Sequence, residues 1–371
     1  MNLSYWEKKY WLSDINFIII GSGIVGLSTA LFLKSKFPKK NIVIVEKGIL
    51  PSGGSTKNAG FSCFGSLSEI LSDLETHTNT EILDLVNERV SGLNLMRKTL
   101  GDDNIDYKKS GGYELFMDKE SHIYDKCLEN LKIINDLLSP IFKDDVYKVV
   151  STPNCFSKLK PKCVFSQFEA QLDPGKMILS LIKLVQSKGI KLLNNINVKS
   201  YQESDNFVQI ETNFIDLKCD KIVLTTNGFT NKLNKLEVAP ARNQVLVTKP
   251  IKNLEINGSF HMDRGYYYFR NIDKRILIGG GRQLDFENES TTKFGTTHLI
   301  QNKLEQLLED IILPNHDFEI ENRWSGIMGV GPNKSPIISK LSERVYAGVR
   351  MGGMGIAIGF NVGKKLSEII S

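Results

Sequence analysis

Residues 17–26 read Phe-Ile-Ile-Ile-Gly-Ser-Gly-Ile-Val-Gly, and twenty positions after the last of these glycines stands Glu46. Phe17 to Ile20 is a short continuous apolar run, the composition of a strand buried on both faces of a parallel sheet. Residues 24–36 have helical composition, and Ile42 to Val45 is a second β-branched run that ends at Glu46. The first 46 residues therefore spell strand, helix, strand. In this setting Gly21 permits a tight turn, Gly23 lets the backbone approach a pyrophosphate, and Gly26 lets helix and strand pack closely. The turn continues through Ser22, and Ile24 and Val25 open a helix whose N-terminus faces phosphate charge. Glu46 is placed to accept from adenosine ribose hydroxyls, and its charge disfavours a 2′-phosphate.

Two further segments decide which dinucleotide. Pro51 to Phe61 (PSGGSTKNAGF) is a run of small and polar residues directly after the second strand. Its backbone can wrap a second face of a pyrophosphate and ribityl chain, or form a plain solvated loop. Ala347 to Ile356 (AGVRMGGMGI) repeats the logic near the other end, with glycines opening a helix toward something anionic. A helix N-terminus suits the N1–C2=O edge of a flavin, which gains negative charge on reduction. A cofactor touched by both ends of the chain is long, which favours FAD over NAD.

Outward from these motifs, the period turns helical from Leu67 to Leu100, and again from Ile123 to Leu138, ending before Pro140. Gly112 to Met117 is strand-like. Asp173-Pro174 sets up a helix through Ser187. Strand composition follows at 190–198, 207–212 and 221–225, then at 244–248, 266–270 and 276–279, with helix between Leu299 and Ile312. Gly326 to Pro332 reads as irregular, and Val345 to Val349 as a strand before a final helix. No internal repeat or low-complexity linker interrupts the chain.

The 371 residues are 41% hydrophobic, enough for two domains sharing an interface. Basic and acidic residues, 47 and 42, are scattered, so the net charge of +5 predicts no cationic face for nucleic acid. The five cysteines form no CxxC pair, and the five histidines lack ligand spacing, so neither a disulfide framework nor a metal site is expected. The apolar stretch 15–33 is broken by glycines and polar residues, so no transmembrane segment is expected. A cytoplasmic location is the default expectation.

With these pieces placed, the sequence resembles the D-amino-acid oxidase superfamily, including glycine oxidase, sarcosine oxidase and gamma-glutamylputrescine oxidase. The resemblance is carried by Ile18–Thr29 (IIIGSGIVGLST), Val43–Gly48 (VIVEKG), Gly54–Phe61 (GSTKNAGF), Lys221–Phe229 (KIVLTTNGF), Tyr266–Arg282 (YYYFRNIDKRILIGGGR), Arg323–Gly329 (RWSGIMG) and Gly348–Gly363 (GVRMGGMGIAIGFNVG). It implies an α/β, overall α+β, fold: a discontinuous Rossmann-type FAD domain interleaved with a substrate domain on an antiparallel sheet. The expected boundaries are 1–80, 160–238 and 320–371 for the FAD domain, and 81–159 and 239–319 for the substrate domain. The implied chemistry is hydride transfer from the carbon beside an amine nitrogen to flavin N5, giving an imine that water hydrolyses. By motif, contacts to noncovalently bound FAD fall on Gly21, Ser22, Gly23, Ile24, Val25, Gly26, Glu46, Lys47, Gly54, Ser55, Thr56, Ala59, Gly60 and Phe61. Val198, Thr226, Gly228, Gly352, Gly353, Met354, Gly355 and Ile356 complete that set.

On a strand, Tyr266, Tyr268 and Arg270 share one side, and Tyr267 and Phe269 the other, so one set lines the pocket while the other packs. Two departures from the resemblance matter. Glycine oxidase-like members place a carboxylate-binding arginine where Met328 stands here, and a methionine cannot fork two N–H bonds to a carboxylate. The WSGIMG segment and the tyrosine-rich strand look closest to the gamma-glutamylputrescine oxidase branch. Arg242, Arg270, Arg282 or Arg350 could supply a carboxylate partner instead. Sarcosine oxidase-like members hold a lysine over the flavin where Leu277 stands, which leaves open whether O2 or another acceptor reoxidises it. Cys63 is the thiol considered for covalent attachment, and noncovalent binding is expected. Two other readings keep the flavin: oxidation of a hydroxy acid or polyol, and a flavin-binding scaffold without turnover.

Overall fold

The computed structural model describes residues 2–371. Phe17–Ile20 and Ile42–Val45 lie side by side in parallel register, Ile18 opposite Val43. Their side chains alternate between two cores. Phe17, Ile19, Ile42 and Ile44 face helices, whereas Ile18, Ile20, Val43 and Val45 face a three-stranded sheet built from Val198–Glu203, Val208–Thr212 and Leu217–Cys219. Apolar residues on both sides of these strands explain the unbroken run in the sequence.

The full sheet around them has six strands, in the order Ile337–Lys340, Val345–Val349, Lys221–Leu224, Phe17–Ile20, Ile42–Val45, Lys191–Leu193. It thus draws on the beginning, middle and end of the chain. Helices Ile24–Lys36 and Gly355–Ile369 pack together beside it, and Gly26, Gly359 and Gly363 stand where a methyl would strike the neighbouring backbone or side chain. Helix Pro174–Ser187 begins where Asp173 accepts from the Lys176 N–H at 2.9 Å.

An eight-stranded sheet stands opposite, in the order Ile320–Val330, Ala239–Thr248, Arg275–Gly280, Tyr267–Ile272, Ser259–Met262, Gly112–Glu114, Lys162–Ser166, Lys148–Ser151. All its pairings are antiparallel except that of Ser259–Met262 with Gly112–Glu114. One face, with Leu246, Tyr267, Phe269, Ile276 and Ile278, packs on helix His298–Leu307. The other presents Val245, Tyr268 and Leu277 to Ala59 and Phe61 of the glycine-rich loop.

Several local readings differ from what the pattern suggests. Gly326–Val330 is not irregular: it belongs to an 11-residue strand paired with Ala239–Thr248. That strand and Lys162–Ser166, both expected in the FAD domain, belong to the eight-stranded sheet. Conversely Leu93, Met96 and Leu100 of helix Asn79–Leu100, expected in the substrate domain, pack into the core of the six-stranded sheet. Helix Ser121–Phe142 runs through Pro140. The Asp136 carbonyl there accepts from the Ser139 hydroxyl at 2.8 Å, which supplies the bond that proline's missing N–H cannot. Among the described residues no helix is long and apolar enough to cross a membrane.

Candidate active site

The two sheets enclose a cavity of about 900 Å³ that runs from the glycine turn to the tyrosine-rich strand. At its first end, Gly21 adopts φ +109° and its backbone rests on Thr225, whose hydroxyl donates to the Ile20 and Gly21 carbonyls at 2.9 and 3.2 Å. A methyl on Gly26 would overlap the Gly21 carbonyl oxygen, so the close approach of helix and turn requires glycine there. Thr225 lies in the Lys221–Phe229 motif, but sequence reasoning named only Thr226 and Gly228 there and missed it.

Glu46 is buried, and its carboxylate accepts four hydrogen bonds. One oxygen takes the Ser22 N–H and hydroxyl at 3.1 and 2.8 Å, the other the Gly48 N–H and the Ser52 hydroxyl at 2.9 and 3.3 Å. Two of these donors are rotatable hydroxyls, the chemistry a ribose diol would bring in their place.

Three helix N-termini converge on the cavity without a side-chain cap: Ile24–Lys36, Gly54–Lys57 and Gly355–Ile369. The Ser55 hydroxyl accepts from the Ile24 N–H at 3.0 Å, and the Thr56 N–H donates to the Gly53 carbonyl at 3.3 Å. Elsewhere Ser66, Thr78 and Asp173 each accept from the first turn of the helix they precede, while Ser121–Phe142 and His298–Leu307 also start without a side-chain cap. Leaving these three uncapped at one cavity is the arrangement that fits a pyrophosphate and an electron-rich ring edge. Gly352 and Gly353, at φ +57° and +86°, bring the third N-terminus in.

Of the residues expected to touch the cofactor, Gly21, Ser22, Gly23, Ile24, Val25, Glu46, Lys47, Gly54, Ser55, Ala59, Gly60, Phe61, Val198, Thr226 and Gly352–Ile356 line this cavity. Three do not. Gly26 serves packing, Thr56 donates to the Pro51 carbonyl at 2.7 Å and shapes its own loop, and Gly228 lets the 227–232 turn sit against the Met328 carbonyl.

At the second end Tyr266 and Tyr268 line the wall with Asn243, Met328, Thr292 and Phe294, while Tyr267 and Phe269 are buried in the opposite core. The strand therefore turns its Tyr266 side to the cavity. Burial raises the Tyr268 phenol pKa, which keeps the group protonated, and the Asn243 amide reaches it at 3.5 Å. Arg282 also lines the wall.

Arg270 and Arg350, both considered for a substrate carboxylate, are placed differently. Arg270 is buried behind the wall, donating to the Gly60 and Leu172 carbonyls at 3.2 and 2.8 Å, and burial pushes its pKa down to about 10. Arg350 donates to the Ser335 carbonyl at 2.9 Å, to the Asn333 side-chain oxygen at 2.8 Å, and to the carbonyl and carboxylate of Glu237 at 3.2 Å. Neither lines the cavity.

One wall residue carried no signal in the sequence. His261 is buried on the strand beside the tyrosines, its ring edge-on to Phe61, and its Nε2 is 2.9 Å from the Glu169 carboxylate. Burial works against charge on the imidazole, but the Glu169 carboxylate outweighs it and lifts the pKa to about 9. Its only local mark is a polar residue between Phe260 and Met262. Cys63 lines the cavity too, and burial followed by the Glu169 and Glu69 carboxylates pushes its thiol pKa well up, which keeps it an unreactive thiol.

Residues 16–369 match the family model of FAD dependent oxidoreductases, the DAO family. The chain belongs to that family. FAD is accordingly its cofactor, and the uncapped N-termini and the Glu46 donor cage fit it. Among curated relatives, the sarcosine oxidase subunit beta of Rhodobacter capsulatus is 23% identical, over 91% of this chain and 81% of that one. The D-amino acid dehydrogenase of Vibrio atlanticus is 21% identical, over 95% of each. The L-proline dehydrogenase of P. horikoshii has a similar fold, with a TM-score of 0.74 at 20% identity over 96% of this chain and 93% of that one.

Proposed function

We propose that this member of the family oxidises a C–N bond of a small amine or amino acid, the bound FAD supplying the hydride acceptor at N5. The observation that carries the reading is the single cavity joining the glycine-lined groove to a pocket walled by Tyr266, Tyr268, Asn243, Met328 and Phe294. The names of the relatives, a sarcosine oxidase and a D-amino acid dehydrogenase, point to the same bond.

In this reading the chain holds and shields rather than reacts. Tyr266 and Tyr268 provide flat aromatic walls, which orient a small substrate at low entropic cost. The segment 285–297 lines the pocket through Thr292 and Phe294. It is stapled by Glu289, which accepts from the Arg242 guanidinium at 2.8 and 2.6 Å and from the Gln244 amide at 3.0 Å. The high thiol pKa of Cys63 supports noncovalent binding. Leu277 packs on Ala59 and Val245 where a lysine would mark a sarcosine oxidase-like site, so the electron acceptor is a separate question.

Product analysis tests the reading. Turnover of an amino acid or amine should release ammonia or a shorter amine in one-to-one ratio with a carbonyl product. A carbonyl product formed only from hydroxy acids or polyols would overturn it.

A further inference from the structure

Most arginines that could meet a substrate carboxylate are already engaged. Arg242 holds Glu289 through a bidentate pair, Arg270 holds two backbone carbonyls, and Arg350 is bound by Ser335, Asn333 and Glu237. Two arginines reach the cavity wall, Arg264 and Arg282. Arg264 is exposed at the rim, 3.7 Å from Asp263.

Arg282 differs from all of these. It opens the short turn Arg282–Leu284, directly after Gly280 and Gly281, whose backbone is pressed against Tyr266; the Gly281 N–H donates to the Tyr266 carbonyl at 3.0 Å. Its guanidinium carbon lies 4.7 Å from the centroid of the Phe286 ring. It is half-buried, yet no described residue gives it a hydrogen bond or an ion pair. A guanidinium stacked on an aromatic face keeps its N–H edges free, and the planar fork matches a carboxylate bidentately.

We propose that Arg282 sets the specificity of the pocket: its guanidinium receives a substrate carboxylate, so the preferred substrate is an amino acid and not an amine lacking an acid group. The proposal rests on the C–N reading above and narrows it. It also resolves the departure at Met328, because the carboxylate partner then comes from the end of strand Arg275–Gly280 and not from the Trp324–Met328 segment. Burial pushes the Arg282 pKa down, with Tyr266 and the Glu289 carboxylate working the other way from a distance; an incoming carboxylate at the guanidinium would add a direct partner. Phe286 is the positioning residue. It holds the guanidinium plane from a segment that Glu289 fastens three residues later.

The test is a titration of the FAD-loaded protein with benzoate, read as perturbation of the flavin absorbance bands, with benzamide as the uncharged control. Arg282→Met should weaken benzoate by at least about 30-fold, the scale of losing one partner of a shielded charge pair, and leave benzamide and flavin content unchanged. Arg282→Lys should fall between, because it keeps the charge and loses the fork. Phe286→Ala should weaken benzoate less than Arg282→Met. Equal benzoate affinity in wild type and Arg282→Met, or a wild type that binds benzamide as well as benzoate, would overturn the assignment. If benzoate binding depends on Arg282 while no amine or amino acid bleaches the flavin, the carboxylate site stands and the C–N reading fails.

Discussion

Glu289, fully buried, accepts two hydrogen bonds from Arg242, 2.8 Å from Nε and 2.6 Å from the terminal nitrogen. The pair ties the middle of the 285–297 segment to strand Ala239–Thr248, while Phe286 and Phe294 on either side of it stay half-exposed over Arg282 and Lys57. The segment is therefore fastened at its centre by Glu289 and at its far end, where the Gly295 N–H donates to the Ser325 hydroxyl at 3.0 Å and the Thr297 N–H to the Gln244 side-chain oxygen at 2.9 Å. Glu289→Ala leaves Arg242 shielded and unpaired, which should cost about 3–5 kcal/mol of stability. Urea denaturation of the holoprotein measures it, and a loss under about 1 kcal/mol, the scale of an exposed pair, would show that the pair fastens nothing.

Gly26 is a sharper test of the cofactor end. A methyl there overlaps the Gly21 carbonyl, so Gly26→Ala must push the helix away from the turn. Overpacking of this kind costs about 1–3 kcal/mol. Here it should appear as weaker FAD binding, by about 10- to 100-fold. The ratio of flavin to protein absorbance after desalting reports it directly; full retention of flavin would contradict the packing argument.

Arg270 tests whether buried position outranks motif. Its guanidinium holds the Gly60 and Leu172 carbonyls, and Gly60 lies on the cofactor loop. Arg270→Met should lower flavin retention and leave the preference for carboxylate ligands over neutral ones unchanged. A shifted ligand preference with full flavin retention would place Arg270 in the substrate pocket after all.

The His261–Glu169 pair makes stability depend on pH. The folded-state pKa is raised, from 6.5 to about 9, so the imidazolium's contribution is fully present below pH ~6.5 and is lost as pH rises through ~9. Stability should accordingly fall across that window from this group. Glu169→Gln should flatten the slope there, measured as denaturation midpoints from pH 6 to 10. An unchanged slope in the variant would mean that the pair does not carry it.

Much of this was legible in the sequence because it is local. The strand 17–20, helix 24–36, strand 42–45, helix 174–187 and strand 345–349 fall where periodicity and capping residues place them. The glycine turn and the acidic residue twenty positions on depend on spacing alone. What was not legible depends on partners far away in the chain. Gly326 to Val330 looked irregular because its glycines carry no strand propensity; they are small so that Lys57, Asn227 and Val238 can pack on the strand. Arg270 and Arg350 looked like ligands until their carbonyl partners, up to 210 positions away, were seen. His261 gave no warning because Glu169 meets it only through the fold. The assignment of Lys162–Ser166 and Ile320–Val330 to one sheet has the same origin: a strand pattern names a strand and not its neighbour.

The most direct test of the central claim is an anaerobic absorbance scan of the FAD-loaded protein before and after addition of amino acids, amines and hydroxy acids. The account predicts that the flavin bands bleach with an amino acid, less with the matching amine, and not with a hydroxy acid; admitting air then shows whether O2 is the acceptor. A protein that binds no FAD, or whose flavin bleaches only with a hydroxy acid, would contradict it.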